Sequence, residues 1–451
     1  SANLRRHTDL GSSRTFDPQP HASLFHKMVL ITALIDANNF YAACEQSMDP
    51  SLRGRPLVVL SNNDSCIIAR DPKARELGIS MGIPYFKIRH RLRKLNVAIR
   101  SSNYALYGDM SQRLMNLLRK YCEDIEIYSI DEAFAKINSP TCNDLHLWAR
   151  QLRALIYQNL GITISIGIGA NKVQAKLANH LAKTLVTNAG VFDFINTKNI
   201  DNYLDNISIE NVWGIGNKMS TWCRQMGIRS AKQFRDMPNN HLRAKYGVIG
   251  LRLQSELRGE TCLVFKKTSL PKKETCISKS FSRPITEFQE FRQAISTYVI
   301  KACEKLRKQQ QNTRTITIFA RTSLYAPFFY SQSATTTLEI ATNNTVEILE
   351  ASLHLTEQVF KPNTLLSKAG VIMQKLESSN TLQKNLFVHC NEEENEKNGR
   401  LMEVIDKINN RYGNKSIDWA ICGIKQTWGM SRDSLSPAAT TNINEIPIVK
   451  A

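Results

Sequence analysis

The 451-residue chain lacks several patterns that would define its class at once. It has no apolar run of the roughly 18–20 residues that a membrane-spanning helix needs. Its ten cysteines are scattered, and no two lie within four residues of each other. This spacing predicts neither a zinc ribbon nor a zinc finger and favours free thiols in a reducing compartment. The P-loop pattern GxxxxGKS or GxxxxGKT is also missing, which argues against a P-loop ATPase.

Acidic residues are few relative to basic ones. The chain has 40 Asp plus Glu against 59 Lys plus Arg, a formal net charge of +19. Such an excess favours a polyanionic partner such as nucleic acid, with solubility alone as the alternative. Between positions 266 and 283 there are six basic residues and only one acidic residue. At 42% hydrophobic residues the chain can bury several cores, and its length predicts roughly two to four domains.

The first half of the chain alternates between predicted strands and helices, which indicates an α/β core. Residues 1–27 have no periodicity and are expected to be a disordered extension. The expected elements are strands at 29–36, 57–61, 125–134 and 162–169, a helix at about 103–120 and a helix that Asn171 could cap.

The second half has a different organisation. Residues 200–260 are predicted to be helical around a Gly-Ile-Gly turn at 214–216. A β-α-β-β-α-β pattern then predicts a four-stranded sheet with helices on one face, its elements at 275–281, 287–309, 313–322, 333–341, 344–360 and 367–375. Residues 391–398 are expected to be a solvated linker. A helix at 399–413 either packs on the body or docks a partner.

Three carboxylates are the first candidates for chemistry. Asp36 ends an apolar strand, and Asp131 and Glu132 lie in a second strand-like segment. Converging carboxylates without His or Cys suit Mg²⁺ or Mn²⁺. Because side chains alternate along a strand, Asp131 and Glu132 would face opposite sides unless the chain bends there. A nuclease, a polymerase and an ATPase are all compatible with such a site.

Glycines and cations supply candidate phosphate contacts. Exposed backbone N–H groups of Gly214 and Gly216 could hold a DNA phosphate without reading sequence, although the turn could equally be an ordinary helix-helix loop. Lys172 begins the helix after the GIGAN turn, and Arg75 lies elsewhere in the chain. Either of these two cations could be an ordinary surface charge.

Taken together, five segments resemble the Y-family translesion DNA polymerases. They are LIDANNFYAACE (34–45), SNNDSCIIARDPKARELGISMG (61–82), YSIDEAF (128–134), IGIGANKVQAKLAN (166–179) and VWGIG (212–216). The resemblance implies an α+β multidomain fold, a right-handed polymerase with palm, fingers, helical thumb, little finger and C-terminal tail. The implied boundaries are palm 28–40 and 101–183, fingers 41–100, thumb 184–262, little finger 275–376 and C-terminal partner-binding region 377–451.

The resemblance also implies roles for individual residues. Two Mg²⁺ ions, with Mn²⁺ possible, would be held by Asp36, Asp131, Glu132 and the carbonyl of Ala37. Phe40 and Tyr41 fall on the nucleotide-sugar positions, with Tyr41 as the steric gate that leaves no room for a ribose hydroxyl. Arg75 and Lys172 would hold the triphosphate, whose charge fixed cations offset. Pro72 stands where the family has a tyrosine.

DNA contacts and partners follow from the same resemblance. The expected DNA-binding residues are Gly214 and Gly216 of a helix-hairpin-helix, with Lys218, Lys272, Lys273, Lys279 and Arg283. The segment 383–387 resembles a sliding-clamp peptide in which Gln383, Leu386 and Phe387 would be the contacts. The implied partners are primer-template DNA, dNTPs, a processed UmuD dimer, a RecA filament and the sliding clamp.

The function implied is error-prone DNA synthesis across damaged template bases during an SOS-type response. The expected location is the bacterial cytoplasm, in association with the nucleoid. The alternative is a non-catalytic DNA-binding scaffold on the same fold. Retention of Asp36, Asp131, Glu132 and Tyr41 counts against that alternative.

Overall fold

A computed structural model describes residues 30–138, 144–185, 189–266, 271–379, 392–413 and 415–446. Its strands are β1 (Leu30–Ala37), β2 (Leu57–Leu60), β3 (Ile67–Arg70), β4 (Ala98–Ser101), β5 (Asp124–Ile127), β6 (Glu132–Asn138), β7 (Ile164–Gly169), β8 (Val191–Asp193), β9 (Thr275–Ile285), β10 (Gln311–Arg321), β11 (Ser331–Thr342), β12 (Leu366–Gln374) and β13 (Glu377–Ser378). None of the helices in these ranges is long and apolar enough to cross a membrane.

The helices alternate with these strands in the first half of the chain and follow one another in its middle. They are α1 (Phe40–Met48), α2 (Pro72–Glu76), α3 (Tyr85–Lys94), α4 (Tyr104–Tyr121), α5 (Leu145–Leu160), α6 (Lys172–Thr184), α7 (Ile200–Asn206), α8 (Asn217–Gln225), α9 (Ala231–Asp236), α10 (Asn239–Leu257), α11 (Phe288–Lys308), α12 (Thr345–Val359) and α13 (Glu392–Tyr412).

A five-stranded sheet in the order β5-β6-β1-β7-β8 forms the centre of the first half. β1 is antiparallel to both β6 and β7, and β7 is parallel to β8. Gly167 lets α6 lie directly on this sheet, because a Cβ there would come within 2.0 Å of the backbone nitrogen of Asn179. β8 falls after residue 183, so this sheet extends past the expected end of the palm segment.

Two smaller units follow the central sheet. A three-stranded sheet in the order β3-β2-β4 packs with α2 and α3 around its own apolar cluster. Helices α7 to α10 bury a further cluster against α6. The helical character expected for residues 200–260 is therefore confirmed, including the turn before α8.

The β-α-β-β-α-β pattern is confirmed as a separate four-stranded antiparallel sheet in the order β11-β10-β12-β9. Alternate residues such as Ile316, Ile318 and Val371 pack against α11 and α12. The opposite face of the sheet carries no helix among the residues that the structure describes. This open face includes the hydroxyl side chains of Thr317, Thr335 and Thr337, which alternate with the inward-facing residues of β10 and β11.

Two expectations about local structure are wrong. Residues 391–398 were expected to be a linker, but α13 already begins at Glu392. Acidic residues near a helix N-terminus are favoured by the helix dipole, which explains why this acidic run can belong to a helix. Residues 125–134 form two strands, β5 and β6, instead of one, with a turn at 128–131 between them.

The C-terminal residues contact two distant parts of the fold. On α13, Met402 is buried and Asp406 forms a two-point ion pair with Arg307 of α11 (Nε–Oδ2 2.7 Å). Leu401 and Val404 of the expected apolar face are half exposed. Trp428 enters the core of the four-stranded unit. The residues after it contact the three-stranded unit, helix α1 and the N-terminus of α4.

Candidate active site

A cleft opens where β1 ends and α1 begins. Asp36 and Ala37 are the last residues of β1, and Phe40 and Tyr41 begin α1 directly after a left-handed residue, Asn39 (φ 49°). The full lining is Asp36, Ala37, Asn39, Phe40, Tyr41, Ile68, Ala69, Arg70, Arg75, Met81, Ile130, Asp131 and Lys183.

The turn between β5 and β6 provides the bend that strand alternation alone could not give. The backbone N–H groups of Tyr128 and Ser129 both donate to the carbonyl of Glu132, each at 3.1 Å. Ala37 N–H donates to the carbonyl of Asp131 at 2.8 Å, which holds Asp131 beside the end of β1. Glu132 lies directly opposite Asp36 in the β1–β6 pairing. The three carboxylate residues are therefore neighbours.

Three lysines on one face of α6 pair with three acids on successive strands. The contacts are Lys172 Nζ to Glu126 of β5 at 2.6 Å, Lys176 Nζ to Glu132 of β6 at 3.0 Å, and Lys183 Nζ to Asp36 of β1 at 2.7 Å. Positions 172, 176 and 183 are four and seven residues apart and so share a helix face.

The electrostatics of Asp36 reflect this crowding. Burial raises the pKa of its carboxyl to about 6, Lys183 opposes the rise, and the charges of Glu132 and Asp131 add to it. The donor set of three carboxylates and a backbone carbonyl fits a hard divalent cation. Among the described residues, however, no group of three or more His, Cys, Asp or Glu side chains is arranged to hold a metal ion. Lysines neutralise two of the three carboxylates instead.

The structure corrects the expected position of one triphosphate cation. Lys172 is buried, and its ammonium group is bound by Glu126 and by the carbonyl of Val264 at 2.9 Å. It does not line the cleft, whereas Lys183 does. The two lysines share a helix face but are about three turns apart, so Lys172 lies over β5 and Lys183 over β1. The sequence analysis missed Lys183 and Lys176, although their spacing from Lys172 was a usable signal.

Arg75, Phe40 and Tyr41 all line the cleft. Arg75 Nη2 donates to Asn39 Oδ1 at 3.3 Å. Pro72 is the first residue of α2 and is held there by the Asp71 cap. The ring of Tyr41 stacks on that of Tyr107, with centroids 4.4 Å apart and planes 15° apart. The cleft therefore combines three cationic side chains, Arg70, Arg75 and Lys183, with a supported aromatic face.

Of the seven residues expected to bind DNA, six are exposed and Lys279 is partly buried. Gly214, Gly216, Lys218, Lys272 and Lys273 are all exposed. Gly214 has φ +94°, and Gly216 is the N-cap of α8. Lys279 and Arg283 belong to the side of the sheet that faces the helices.

The reason for both placements is visible in the contacts of β9. Lys279 alternates in step with the core residues Ile277 and Phe281, and burial together with Lys301, Arg432, Lys415 and Lys305 lowers its pKa. Arg283 pairs with Glu290 of α11 and donates to Thr427 Oγ1. These two residues do not reach the open face. The clamp peptide with Gln383, Leu386 and Phe387 lies outside the described residues.

Comparison with known proteins identifies the family. A family model described as the impB/mucB/samB family matches residues 35–180, and a model of the C-terminal domain of that family matches residues 272–386. A domain of unknown function, DUF4113, matches residues 399–449. A chimera of the Y-family DNA polymerases Dbh and Dpo4 superposes with a TM-score of 0.61 at 19% identity, covering 77% of this chain and 99% of that one.

Curated relatives cover nearly the whole chain. Protein UmuC of Salmonella typhimurium is 38% identical over 93% of this chain and 100% of its own length. Protein MucB of Escherichia coli is 34% identical over 92% and 99%, and DNA polymerase IV of Moorella thermoacetica is 27% identical over 86% and 95%. The chain therefore belongs to the impB/mucB/samB family of Y-family translesion DNA polymerases, which are DNA-directed DNA polymerases. Within that class it is a close homologue of UmuC.

Proposed function

We propose that this chain extends primers across damaged template bases by metal-dependent nucleotidyl transfer. The observation that carries the proposal is the composition of one cleft. Asp36, Asp131 and the backbone of Ala37 meet there with Arg75, Lys183 and a supported Tyr41. Acids, phosphate-binding cations and a sugar-facing ring are the parts that a nucleotide-adding site requires.

Asp36, Asp131, Glu132 and the Ala37 carbonyl would hold the divalent ions. When bound, two such ions stabilise the charge on the attacking and leaving oxygens of a phosphoryl transfer. Y-family polymerases depend on divalent metals, and the all-oxygen donor set is suited to Mg²⁺ or Mn²⁺. Lys183 and Lys176 balance the carboxylates in this structure. Lys183 lines the cleft and would contact the phosphate oxygens of a bound nucleotide.

The remaining residues position the nucleotide. Arg75 and Lys183 offset the charge that develops on pyrophosphate as the bond from the α-phosphorus to its bridging oxygen breaks. The primer 3′-hydroxyl oxygen forms the new bond to the α-phosphorus and releases its proton to solvent. Tyr41 presents its ring to the sugar and excludes a 2′-hydroxyl, and buried Phe40 holds the start of α1 in place.

The larger units would take the polymerase roles in order. The five-stranded sheet is the palm, the three-stranded sheet the fingers, helices α7 to α10 the thumb and the four-stranded sheet the little finger. Backbone N–H groups at Gly214 and Gly216, with Lys218, would bind the duplex backbone without reading sequence. Lys272 and Lys273 add charge between the last two units.

The open face of the four-stranded sheet replaces Lys279 and Arg283 as the proposed little-finger contact. Thr317 alternates with the core residues Ile316 and Ile318, so it faces away from the helices. On the paired strand β11, Thr335 and Thr337 are exposed. Thr317 Oγ1 lies 2.9 Å from Thr335 Oγ1 on the neighbouring strand. A row of hydroxyl donors suits phosphate oxygens.

The homology to UmuC supports a place in the SOS response, with a processed UmuD dimer and a RecA filament as partners. The peptide at Gln383, Leu386 and Phe387 supports a contact with the sliding clamp. The test is primer extension over an abasic site with Mg²⁺, with and without the UmuD dimer and RecA filament, and with EDTA as control. We expect primer extension past the abasic site with Mg²⁺, and we expect EDTA to abolish it. Absence of extension on damaged and undamaged templates under every condition would refute the proposal.

A further inference from the structure

The C-terminal segment after Trp428 is hydrogen-bonded to the three-stranded unit and to the residues that follow β4. Ser431 N–H donates to Asn63 Oδ1 at 3.1 Å, and Asp433 N–H donates to Asp64 Oδ2 at 2.9 Å. Ser434 and Ser101 then exchange two hydrogen bonds, one through the Ser101 hydroxyl and one through the Ser434 carbonyl. This part of the match to the domain of unknown function therefore docks on the catalytic half of the chain.

Ser436 is the residue of this segment that reaches a buried carboxylate. Its hydroxyl donates to Glu45 Oε1 at 3.1 Å and accepts from Asn103 Nδ2 at 3.0 Å. Asn103 also caps the N-terminus of α4 through its Oδ1 atom, which accepts from Leu106 N–H. Ser436 is therefore fixed from both sides and has one hydroxyl proton to give, and that proton points to Glu45.

Glu45 lies on α1, four residues after Tyr41, and is 1% exposed. Its Oε1 accepts two hydrogen bonds, from Ser436 and from the hydroxyl of Tyr107 at 2.7 Å. Arg100 is its only ion-pair partner among the described residues, with Nε 4.0 Å from Oε2. Burial raises the pKa of Glu45, and the two hydroxyl donors oppose that rise. Each of these two hydroxyl donors therefore helps to fix the position of the Glu45 carboxylate.

Tyr107 transmits this arrangement to the cleft. Its side chain is fully buried on α4, and its ring is the surface on which the ring of Tyr41 stacks. Tyr104 contacts both rings edge-on. The face of Tyr41 toward the nucleotide sugar thus depends on the position of Tyr107, which a hydrogen bond to Glu45 fixes.

We propose that Ser436 of the C-terminal segment is a positioning residue for sugar selection, acting through Glu45 and Tyr107 on the Tyr41 gate. The proposal rests on the proposed function of Tyr41. It gives the C-terminal domain of unknown function a role in the choice between deoxyribonucleotides and ribonucleotides. Loss of the Ser436 hydroxyl leaves Glu45 with one donor fewer, so Tyr107 and the stacked ring of Tyr41 gain freedom to move away from the sugar.

The experiment measures kcat and KM for a dNTP and the matching rNTP in the full chain. Ser436→Ala and Tyr107→Phe are each expected to lower the ratio of the two kcat/KM values about 3- to 10-fold, because a small displacement of a positioning ring is sufficient for such a loss. The double variant is expected to lose less than the product of the two, since both act on Glu45. Ser436→Thr keeps the hydroxyl and is expected to retain the ratio. Ser431→Ala, which removes only an exposed bond to Asp433, is the matched control.

Tyr41→Ala distinguishes the role of Tyr41 as the gate from the role of Ser436 in positioning it. If Tyr41→Ala relaxes sugar selection while Ser436→Ala and Tyr107→Phe leave the ratio unchanged, the gate stands and the role of Ser436 is refuted. If Tyr41→Ala itself changes nothing, the gate assignment fails and the inference fails with it. If Ser436→Ala lowers kcat/KM equally for the dNTP and the rNTP, Ser436 has a purely structural role and the inference is also overturned. Should Ser436→Ala fail to fold, Tyr107→Phe decides.

Discussion

Trp428 anchors the C-terminal segment, and Trp428→Ala is expected to release it. The side chain is 4% exposed, with ring centroids 5.8 Å from Tyr298 and 6.3 Å from Phe281, both nearly perpendicular. A fully buried tryptophan removes about 250 Å² from water, worth at most about 6 kcal/mol. Measured Trp→Ala substitutions in cores cost about 3–5 kcal/mol.

The lower end of that range applies here. The indole N–H is buried and finds no hydrogen-bond partner among the described residues, which offsets part of the gain from burial. A loss of about 3 kcal/mol raises the undocked fraction of the segment about 150-fold. Trp428→Phe keeps an aromatic anchor and removes the unpaired donor, so it is expected to cost less than about 1.5 kcal/mol.

Hydrogen–deuterium exchange reports this release directly. The amides of Ser431, Asp433 and Ser434 donate to the catalytic half of the chain and exchange when the segment undocks. In Trp428→Ala their exchange is expected to become about 150-fold faster, while the amides of β10 and β12 keep their protection. Unchanged exchange at 431–434 would refute the anchoring argument. Equal acceleration in β10 would show instead that the substitution unfolds the four-stranded unit.

Two further predictions concern cations and the clamp peptide. Lys183→Ala is expected to lower kcat/KM for a dNTP about 10- to 100-fold by removing a phosphate contact. Lys172→Ala removes the cation that pairs with partly buried Glu126, while the Lys266 N–H remains bonded to that carboxylate, and is expected to act mainly on thermal stability, by about 2 kcal/mol. The opposite pattern in kinetics and melting would restore Lys172 as the triphosphate ligand. The double substitution Leu386→Ala and Phe387→Ala is expected to weaken DNA synthesis in the presence of the clamp and to leave synthesis without the clamp unchanged. An equal loss of both activities would show that the peptide has a structural role instead.

The sequence predicts the architecture well because its elements have strong local signals. Each element of the four-stranded unit lies within a few residues of its expected place, since apolar residues repeat with the period of the element they form. Strand β1 is nearly all apolar and carries Asp36 as its next-to-last residue, which located the site. The same alternation also places Lys279 on the helix side of the sheet, between Ile277 and Phe281. The expectation that Lys279 contacts DNA is drawn from its charge and does not take this alternation into account.

Other features depend on contacts that no local pattern records. The bend that brings Asp131 beside Ala37 is fixed by hydrogen bonds between separate segments. The choice between Lys172 and Lys183 depends on which strands lie under each end of α6. Docking of Ser436 on Asn103 joins residues 333 positions apart in the chain. Sequence periodicity carries no information about such pairings.

The most direct test of the central claim compares catalysis with DNA binding in one variant. Asp131→Asn combined with Glu132→Gln removes two carboxylate charges and keeps the side-chain shapes, with Asp109→Asn on the surface of α4 as control. Primer extension with Mg²⁺ and primer-template binding by fluorescence anisotropy are measured on the same preparation. The structure predicts that extension falls by more than about 100-fold while binding stays within about threefold. Retained extension, or a loss of binding as large as the loss of extension, would contradict a catalytic role for these acids.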